Sequence, residues 1–439
     1  MIRTLVGSQV LGGVGMACGI AVGALLAEDL SGTEALAGVG TTAQVLGTAL
    51  ITIPVARATA ARGRRVGLRL GLTLAFVGAA VVLVAAVLRS FPLFVVGMFL
   101  FGGGTTANNQ TRYAAADLAV PARRGRDLSI VVWATTIGSV AGPNLVGPGK
   151  AVAQAVGVPE LSGVFVFSLA GFVLAWFVVD RLLRPDPLLT ARVLDAQARR
   201  VDGEQQRDAL VAGSGGDDVT SGSVADATQH GAPNHDGSMR RGLTVVRANP
   251  RALQGILVMA LGHLVMVSVM VMTPIHMKHG HAELEVIGFV ISMHIMGMFA
   301  LSPLVGMAVD RWGGQVVATT GGAVLAVAAV LASRSHAGWS GLLLVALFLL
   351  GVGWSCTLVS GSTLLTSAVS TDERPATQGF ADVLMGLAGA GGGVAAGVVV
   401  GSAGYGMLAL GSAVVGVVIL VIGAPRGPRR SGDAEASPA

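Results

Sequence analysis

The chain has 439 residues, of which 53% are hydrophobic and only 12% are charged, whereas about 25% of the residues of a soluble domain are charged. This composition excludes an ordinary soluble globular protein. The formal net charge of +5 does not indicate a nucleic-acid partner, because the basic residues form short clusters between apolar stretches, as in oriented membrane proteins. Cys18 and Cys356 lie far apart in apolar runs, which excludes a disulfide framework.

Apolar stretches long enough to cross a bilayer recur along the chain, since about 20 apolar residues in a helix span the hydrocarbon core. Twelve are predicted, at residues 5–27, 35–56, 66–88, 92–114, 127–148, 161–183, 251–275, 284–308, 315–333, 339–361, 376–399 and 401–423. The sequence therefore predicts an all-α membrane protein with twelve transmembrane helices in two six-helix bundles.

Polar segments divide these spans into two sets. Residues 1–183 and 251–424 are predicted to form the N-terminal and C-terminal six-helix bundles, 184–250 a largely disordered cytoplasmic linker, and 425–439 a cytoplasmic tail. With both termini and the linker in the cytoplasm, 25 Lys and Arg residues lie on the cytoplasmic side and four on the other, as the positive-inside rule requires. We expect a monomeric, multi-pass protein in the lipid of a bacterial-type plasma (inner) membrane.

One loop motif and the six-plus-six layout resemble the major facilitator superfamily over essentially the whole chain. That family has a G-x-x-x-D-R-x-G loop between helices two and three and a second copy between helices eight and nine. The second copy is intact here, as Gly306, Asp310, Arg311 and Gly313, whereas the first has Ala60 where the aspartate belongs. An acid beside a base in a short loop can bridge helix ends in one conformation and release them in another, which predicts a conformational gating loop. The resemblance implies a major facilitator fold and a secondary active transporter, not an enzyme.

Methionine and histidine are concentrated in the seventh and eighth predicted helices. Residues 259–307 hold nine of the 15 methionines and five of the eight histidines. On a helix, Met259, His263, Met266 and Met270 project within about 60° of one another. Thioether and imidazole groups are soft to borderline ligands that suit Cu(I), whereas Mg²⁺ and Ca²⁺ require oxygen ligands. A cluster of buried methionines is also typical of ordinary core packing.

The spacing of four of these residues resembles a known pair of motifs. Met266-x-x-x-Met270 and His294-x-x-x-Met298 are similar to the paired M-x-x-x-M and H-x-x-x-M motifs of the CcoA-like copper importers, a branch that also includes relatives resembling riboflavin transporters. The resemblance implies that these four residues are copper ligands, with His263 and Met259 as weaker candidates. Copper is then the transported substrate, and no resident cofactor is expected. The alternative cargo is riboflavin or another small molecule.

Two further functions stay open at this stage. Gly138-x-x-x-Gly142-Pro143 resembles part of the motif of proton-coupled drug antiporters, although that pattern begins with a glycine where this chain has Ser129. A non-transporting membrane sensor is the alternative from another class, and it is disfavoured because neither the linker nor the tail can form a folded soluble domain.

Several other polar residues are predicted to serve transport. Asp382 is the one acid well inside a predicted span, and such a costly group is a candidate for proton coupling or for pairing with a base such as Arg112. Asn109 and Arg112 are candidate cavity or gating residues. The outer end of the seventh helix carries candidates for metal collection, namely His276, Met277, His279 and His281.

Overall fold

The computed structural model describes residues 1–33, 36, 38–213 and 238–425. The first helices of the chain, numbered in order, are α1 (Ile2–Ser31), α2 (Val39–Arg62), α3 (Arg64–Val87), α4 (Phe91–Asp117), α5 (Arg124–Asn144), α6 (Val146–Val156) and α7 (Val164–Leu182). Short 3-10 helices at Pro121–Arg123 and Glu160–Gly163 precede α5 and α7. We call α1–α7 the N-terminal half.

The second part of the chain begins with two helices of the predicted linker, α8 (Pro187–Gly213) and α9 (Met239–Ala248). The following helices are α10 (Pro250–His279), α11 (Leu284–Phe299), α12 (Ser302–Trp312), α13 (Gly314–Ser333), α14 (Gly341–Ala368) and α15 (Arg374–Gly423). We call α10–α15 the C-terminal half. The linker at 184–250, which the sequence predicts to be largely disordered, thus contains two helices where the structure describes it, and its residues 214–237 lie outside the described residues.

The described helices confirm a multi-pass, all-helical membrane protein but not the number of twelve spans. Within the described residues, nine helical segments are long and apolar enough to cross a membrane, or ten if the bent pair Pro121–Gly142 and Gly147–Val156 forms one span. One of the nine is the 50-residue α15, which breaks at Gly404, whose φ of 83° lies in the left-handed region that glycine adopts without strain. A break in backbone geometry, rather than a polar stretch, thus separates the last two predicted spans.

Two predicted spans are interrupted in the structure. The span expected at 127–148 ends at Asn144, and the separate helix α6 follows it. The span expected at 284–308 is divided into α11 and α12 by Ala300 and Leu301. Both interruptions lie within mainly apolar stretches, with one polar residue beside each, Asn144 and Ser302, so the average hydropathy of these stretches does not reveal them.

Each half has its own apolar core. The N-terminal core contains Phe94, Phe101, Phe165 and Phe172, with the ring of Phe101 edge-on to those of Phe165 and Phe172. A core of valine, leucine and alanine side chains lies within the C-terminal half. A third cluster joins Ala116, Leu128 and Val132 of the N-terminal half to buried side chains of the C-terminal half, so the two halves share an apolar interface.

The polar contacts between the halves cluster at one end of the molecule. They involve the end of α4, the beginnings of α3 and α5, and, from the other half, the end of α12 and the beginning of α15. Helices α8 and α9 of the linker lie at this same end, which we call the linker side. The structure is therefore closed on the linker side.

Candidate functional site

A buried ionic network lies where the halves meet on the linker side. Arg64, the first residue of α3, is completely buried, and its Nε donates to Asp117 Oδ2 at 2.7 Å. Its Nη1 donates to Gln110 Oε1 at 2.7 Å, and its Nη2 donates to Gln378 of α15. Arg374 approaches the same Asp117 carboxylate at 3.6 Å. Because Gln378 and Arg374 belong to the C-terminal half, this network ties the two halves together.

A second ion pair crosses the interface one level deeper. Arg112 Nη2 of α4 lies 2.8 Å from Asp382 Oδ1 of α15. Tyr113 donates its hydroxyl to the same oxygen at 3.3 Å, and Gln110 Nε2 donates to Asp382 Oδ2 at 3.1 Å. Asp382 is the eighth residue after the start of α15, which places it about 12 Å along that helix. The structure thus brings together the predicted pair of Asp382 and Arg112.

The intact loop motif joins the halves directly. Asp310, near the end of α12, accepts hydrogen bonds from the backbone N–H groups of Gly125 at 2.7 Å and Arg126 at 2.8 Å, in the first turn of α5. A carboxylate is favourable there because the N-terminus of a helix carries unpaired N–H groups and a partial positive charge. A Cβ on Gly306 would overlap Ser129 Oγ of α5, so the glycine permits the close helix crossing. Gly313 turns the chain with a φ of 88°.

The altered first copy of the motif lies at the corresponding crossing of α2 with α15. Ala60 itself offers no side-chain acceptor in place of the missing aspartate. Instead, Arg192 of the linker helix α8 donates its Nη1 to the Ala60 carbonyl at 2.9 Å, and its Nε lies 2.9 Å from Asp372, which precedes α15. Asp195, also on α8, accepts a hydrogen bond from Thr371. The linker helix therefore contacts both halves at the point where the motif lacks its acid.

The predicted soft-ligand methionines lie near the middle of the helices, in the cluster that joins the halves. Met259, Met266 and Met298 are buried in the cluster that joins the halves, and Met270 packs against it. His263 and Met266 are 13 and 16 residues from the start of α10, which corresponds to a depth of about 20–24 Å. This depth is greater than that of Asp382.

The two histidines near mid-depth, His263 and His294, differ in whether a ring nitrogen has a lone pair free for a ligand bond. His263 Nδ1 accepts from Trp354 Nε1 at 3.1 Å, so in a neutral imidazole its Nε2 carries the proton. His294 is fully buried and its Nδ1 lies 2.8 Å from the Leu347 carbonyl, which requires an Nδ1–H donor. The Nε2 atom of His294 then has a free lone pair and is without a hydrogen-bond partner. Of the two, only His294 can act as a ligand without rearrangement.

Aromatic rings border the same layer. The Trp354 ring lies 5.5 Å from that of Phe299 in an edge-to-face arrangement and 6.2 Å from that of His263. These three residues come from α14, α11 and α10, so the rings connect three helices of the C-terminal half. The described residues include no group of three or more His, Cys, Asp or Glu side chains placed to hold a metal ion, and any metal at this level would depend on thioether sulfur.

The residues predicted to collect metal at the outer end of α10 do not form one accessible group. Met277 is completely buried in the C-terminal core, because α10 remains packed in the bundle at this level. His276 stacks on the Tyr405 ring, with centroids 4.1 Å apart, whereas His279 and His281 are exposed. The expectation for Met277 is therefore corrected by its burial.

The remaining predicted positions have structural contacts. A Cβ on Gly138 would overlap the backbone of Gly13, and one on Gly142 would overlap Ala17, so these two glycines allow α5 to approach α1 closely. Asn109 is partly buried on α4. Arg311 lies 5.9 Å from the Trp312 ring centroid.

The residues that sequence reasoning missed are Arg64, Asp117 and Gln378. Arg64 and Asp117 stand at the edges of predicted spans, where charged residues are common and solvated, and Gln378 is uncharged. No local pattern links residues that are 53 and 314 positions apart, and only the fold shows that they are buried together.

Known structures share this fold. The proton:xylose symporter XylE superposes with a TM-score of 0.70 at 14% identity, over 96% of this chain and 94% of that chain. The Escherichia coli fucose:proton symporter FucP gives a TM-score of 0.67 at 16% identity, over 96% and 97%. A bacterial homologue of the iron transporter ferroportin, in an outward-facing state, gives 0.68 at 13% identity, over 96% and 98%.

Sequence comparisons identify the family. The chain is 35% identical to the uncharacterized MFS-type transporter YddS of Bacillus subtilis over 96% of this chain and 89% of that protein. It is 26% identical to the riboflavin transporter RfnT of Brucella anthropi, over 86% and 83%. The family model described as Major Facilitator Superfamily matches residues 5–285 and 256–439. The chain therefore belongs to the major facilitator superfamily, a family of membrane carriers rather than enzymes.

Proposed function

We propose that this protein is a proton-coupled secondary transporter in which Asp382 is the coupling acid. The observation that carries the proposal is the ion pair between Asp382 and Arg112, which joins the two halves at 2.8 Å and is almost completely buried. Ionisable residues inside a membrane protein are costly to bury, and where they occur they commonly mark proton or substrate pathways. Its position across the interface links the charge of one carboxyl group to the separation of the halves.

The charged and titratable groups around Asp382 determine which contacts change when its carboxyl group is protonated. Arg112 and Tyr113 face it from α4, and Arg64 of α3 lies beyond Gln110. On α15 itself, Arg374 lies two turns before Asp382, and His263 of α10 packs against Gly389, two turns after it. Among these groups, Arg112 is the one base that contacts the Asp382 carboxylate directly.

The proposed cycle uses the carboxylate as a charge switch. When Asp382 is ionised, its bond to Arg112 holds α15 against α4 and the linker side stays closed. Binding of a proton to Asp382 removes the negative charge, so the attraction to Arg112 falls and the halves can separate on the linker side. Alternating access then carries the proton and the cargo through the same conformational change.

The substitution Asp382→Asn tests this role in proteoliposomes. We expect accumulation driven by a pH gradient to be lost, while exchange of labelled for unlabelled cargo continues, since exchange needs no net proton movement. Asp29→Asn is the control, because Asp29 is an acid paired with Arg89 within one half. Uphill accumulation by Asp382→Asn equal to that of the unmodified protein would refute the assignment, and saturable binding without exchange in the unmodified protein would favour a sensor.

For the cargo, we propose Cu(I), carried by Met266, Met270, His294 and Met298. The supporting observations are the burial of three of these side chains near mid-depth and the free lone pair of His294 Nε2. Thioether and imidazole ligands favour Cu(I) over hard cations. Met259 and His263 fit less well, because Met259 sulfur already accepts a hydrogen bond from Ser362 at 3.2 Å and His263 Nδ1 accepts one from Trp354.

Riboflavin is the second candidate cargo. It is favoured by the Trp354, Phe299 and His263 rings, which lie at the same level and could stack on a planar ring system. The relative from Brucella anthropi is named a riboflavin transporter, which agrees with this alternative. A copper carrier depends on His294 and the methionines, whereas a flavin carrier depends on the aromatic rings.

An uptake assay separates these cargoes. Cells expressing each variant are supplied under anaerobic, reducing conditions with Cu(I), with radiolabelled riboflavin or with a panel of cationic drugs. For copper, we expect Met266→Leu and His294→Gln to lower uptake at least about tenfold, because each removes a soft ligand. Met272→Leu is the control, since its side chain packs in the C-terminal core. Unchanged copper uptake in both ligand variants would refute the copper proposal.

The other outcomes of the same assay identify the alternatives. Riboflavin uptake that is lost in Trp354→Leu would assign the flavin as cargo, and drug resistance conferred by the unmodified protein would indicate efflux. We also propose that both termini and the linker lie in the cytoplasm of a bacterial plasma membrane, following the distribution of basic residues. A reporter inserted within residues 214–237 that reads as extracytoplasmic would refute this orientation.

A further inference from the structure

A group of arginines surrounds a single carboxylate on the linker-side surface of the N-terminal half. Arg65 Nη2 and Arg69 Nη1 of α3 lie 2.7 Å and 3.0 Å from Asp180 Oδ1 of α7. Arg181 Nε lies 3.6 Å from the other Asp180 oxygen, and Arg184 Nε donates to the Asp180 carbonyl at 3.3 Å. We call these four arginines the arginine cluster.

The arginine cluster carries more positive charge than its acids can balance. Asp180 supplies one negative charge for four guanidinium groups. The next acid, Asp186, accepts hydrogen bonds from the backbone N–H groups of Arg64, Arg65, Leu188 and Leu189. Even with Asp186 included, a net charge of about +2 is held in a small volume, where like charges repel.

Hydrogen-bond donors in the cluster are also left without acceptors. The Nε atoms of Arg65 and Arg69 are buried from solvent, and neither has a hydrogen-bond partner. The Arg69 guanidinium carbon lies 4.6 Å from the Trp176 ring centroid, a cation–π contact that supplies no oxygen acceptor. Excess positive charge and unused donors are the two properties that an anionic oxygen ligand would satisfy.

The surface beside the cluster has the character of a lipid contact. Leu174, Phe177 and Arg181 follow one another at intervals of three and four residues on α7, so they lie on one face of the helix. Leu174 and Phe177 are about half exposed, and the Arg181 side chain is 72% exposed. Arg181 is the next-to-last residue of α7, so this face is apolar along the span and cationic at its end.

We propose that this face binds the headgroup of an anionic phospholipid, with its phosphate at the arginine cluster and an acyl chain along Leu174 and Phe177. Basic pockets between helices at a membrane surface suit such headgroups. A soluble phosphate would use only the arginines, whereas a lipid uses the arginines and the apolar face together. The position of the arginines at the end of an exposed apolar face therefore favours the lipid.

Lipid binding to the purified full-length protein tests the proposal. Native mass spectrometry would follow titration with phosphatidylglycerol and, separately, with phosphatidylcholine. We expect preferential binding of phosphatidylglycerol, weakened about fivefold by Arg181→Gln and roughly 25-fold by Arg69→Gln combined with Arg181→Gln, since each basic residue near an anionic surface contributes about one such factor. Arg199→Gln combined with Arg200→Gln, on exposed positions of α8, removes the same charge elsewhere and should leave binding unchanged.

A substitution that should strengthen lipid binding provides a second test. Asp180→Asn removes the competing carboxylate, so phosphatidylglycerol should bind more tightly by about fivefold, a result that a merely destabilised protein would not give. The proposal is overturned if the cluster variants bind phosphatidylglycerol as the unmodified protein does. It is also overturned if the α8 variant loses binding equally, if phosphatidylcholine binds equally well, or if glycerol 3-phosphate competes at the same concentration as the lipid.

Discussion

Two helix crossings occupy corresponding places in the two halves, yet different chemistry holds each of them closed. At the crossing of α12 with α5, one carboxylate, that of Asp310, accepts two backbone N–H groups of the opposite half. At the crossing of α2 with α15, the corresponding position is Ala60 and offers no side-chain acceptor. The contact there depends on the buried Arg64 and on Arg192 of the linker helix.

The difference shows that loss of a motif residue does not mean loss of the contact. Asp310 works at the surface, where a carboxylate at a helix N-terminus is stabilising by about 1 kcal/mol. Arg64 works in the interior, where a charge must be paired because its solvation is lost. The second arrangement has more partners, and it makes the closed state depend on the linker as well as on the two halves.

The largest effect, a loss of stability, is expected from substitution of the buried Arg64. Arg64→Gln leaves the completely buried Asp117 with only the longer contact to Arg374, so we expect the protein to lose about 3 kcal/mol of stability. Thermal unfolding in detergent measures this loss. Arg65→Gln changes the neighbouring, partly exposed arginine and should lower stability by less than about 1 kcal/mol. Equal losses in the two variants would show that burial does not set the importance of Arg64.

A smaller effect, on the closed state of the linker side, is expected at the crossing of α12 with α5. Gly306→Ala would place a methyl group against Ser129 Oγ and the Gly125 carbonyl, and overpacking of this kind costs about 2 kcal/mol. Since the clash occurs only when the linker side is closed, the ratio of closed to open molecules should fall roughly 30-fold. Spin labels on cysteines introduced at Arg123 and Trp312 report the separation of the halves.

The other crossing supplies the control for this substitution. Ala56 occupies the position equivalent to Gly306 and packs against Gly379, so Ala56→Gly removes a methyl group and creates no clash. We expect its distance distribution to match that of the unmodified protein. A similar opening of the linker side in both variants would remove the asymmetry between the crossings.

The smallest effects on the closed state are expected from single charge substitutions at the two helix crossings. Asp310→Asn and Arg192→Gln should each weaken the closed state by about 1 kcal/mol, or roughly fivefold in the ratio of closed to open molecules, because each removes charge-assisted hydrogen bonds at a partly exposed site. The same spin-label distances measure both, with Arg199→Gln on α8 as the control. An unchanged closed population in Arg192→Gln would show that the linker helix does not replace the missing acid.

Sequence reasoning reached the family and the membrane class. Helices occur at every predicted span because apolar segments of that length must satisfy their backbone hydrogen bonds internally in a membrane. Asp382 and Arg112 were identified as a candidate pair because charge inside an apolar span is conspicuous. The intact loop motif pointed to Asp310, which the structure places at the first turn of α5.

Tertiary structure alone decided how these parts are joined. Hydropathy cannot distinguish a solvated arginine at a span edge from one buried against a distant carboxylate, so Arg64 and Asp117 resemble ordinary boundary residues in the sequence. It also cannot reveal the breaks within α15 and between α11 and α12, because a helix break needs no polar residue. Local patterns determine which segments enter the membrane, since burial there depends on each segment's own composition. The pairing of charges depends on which helices become neighbours, and that is a property of the packed fold.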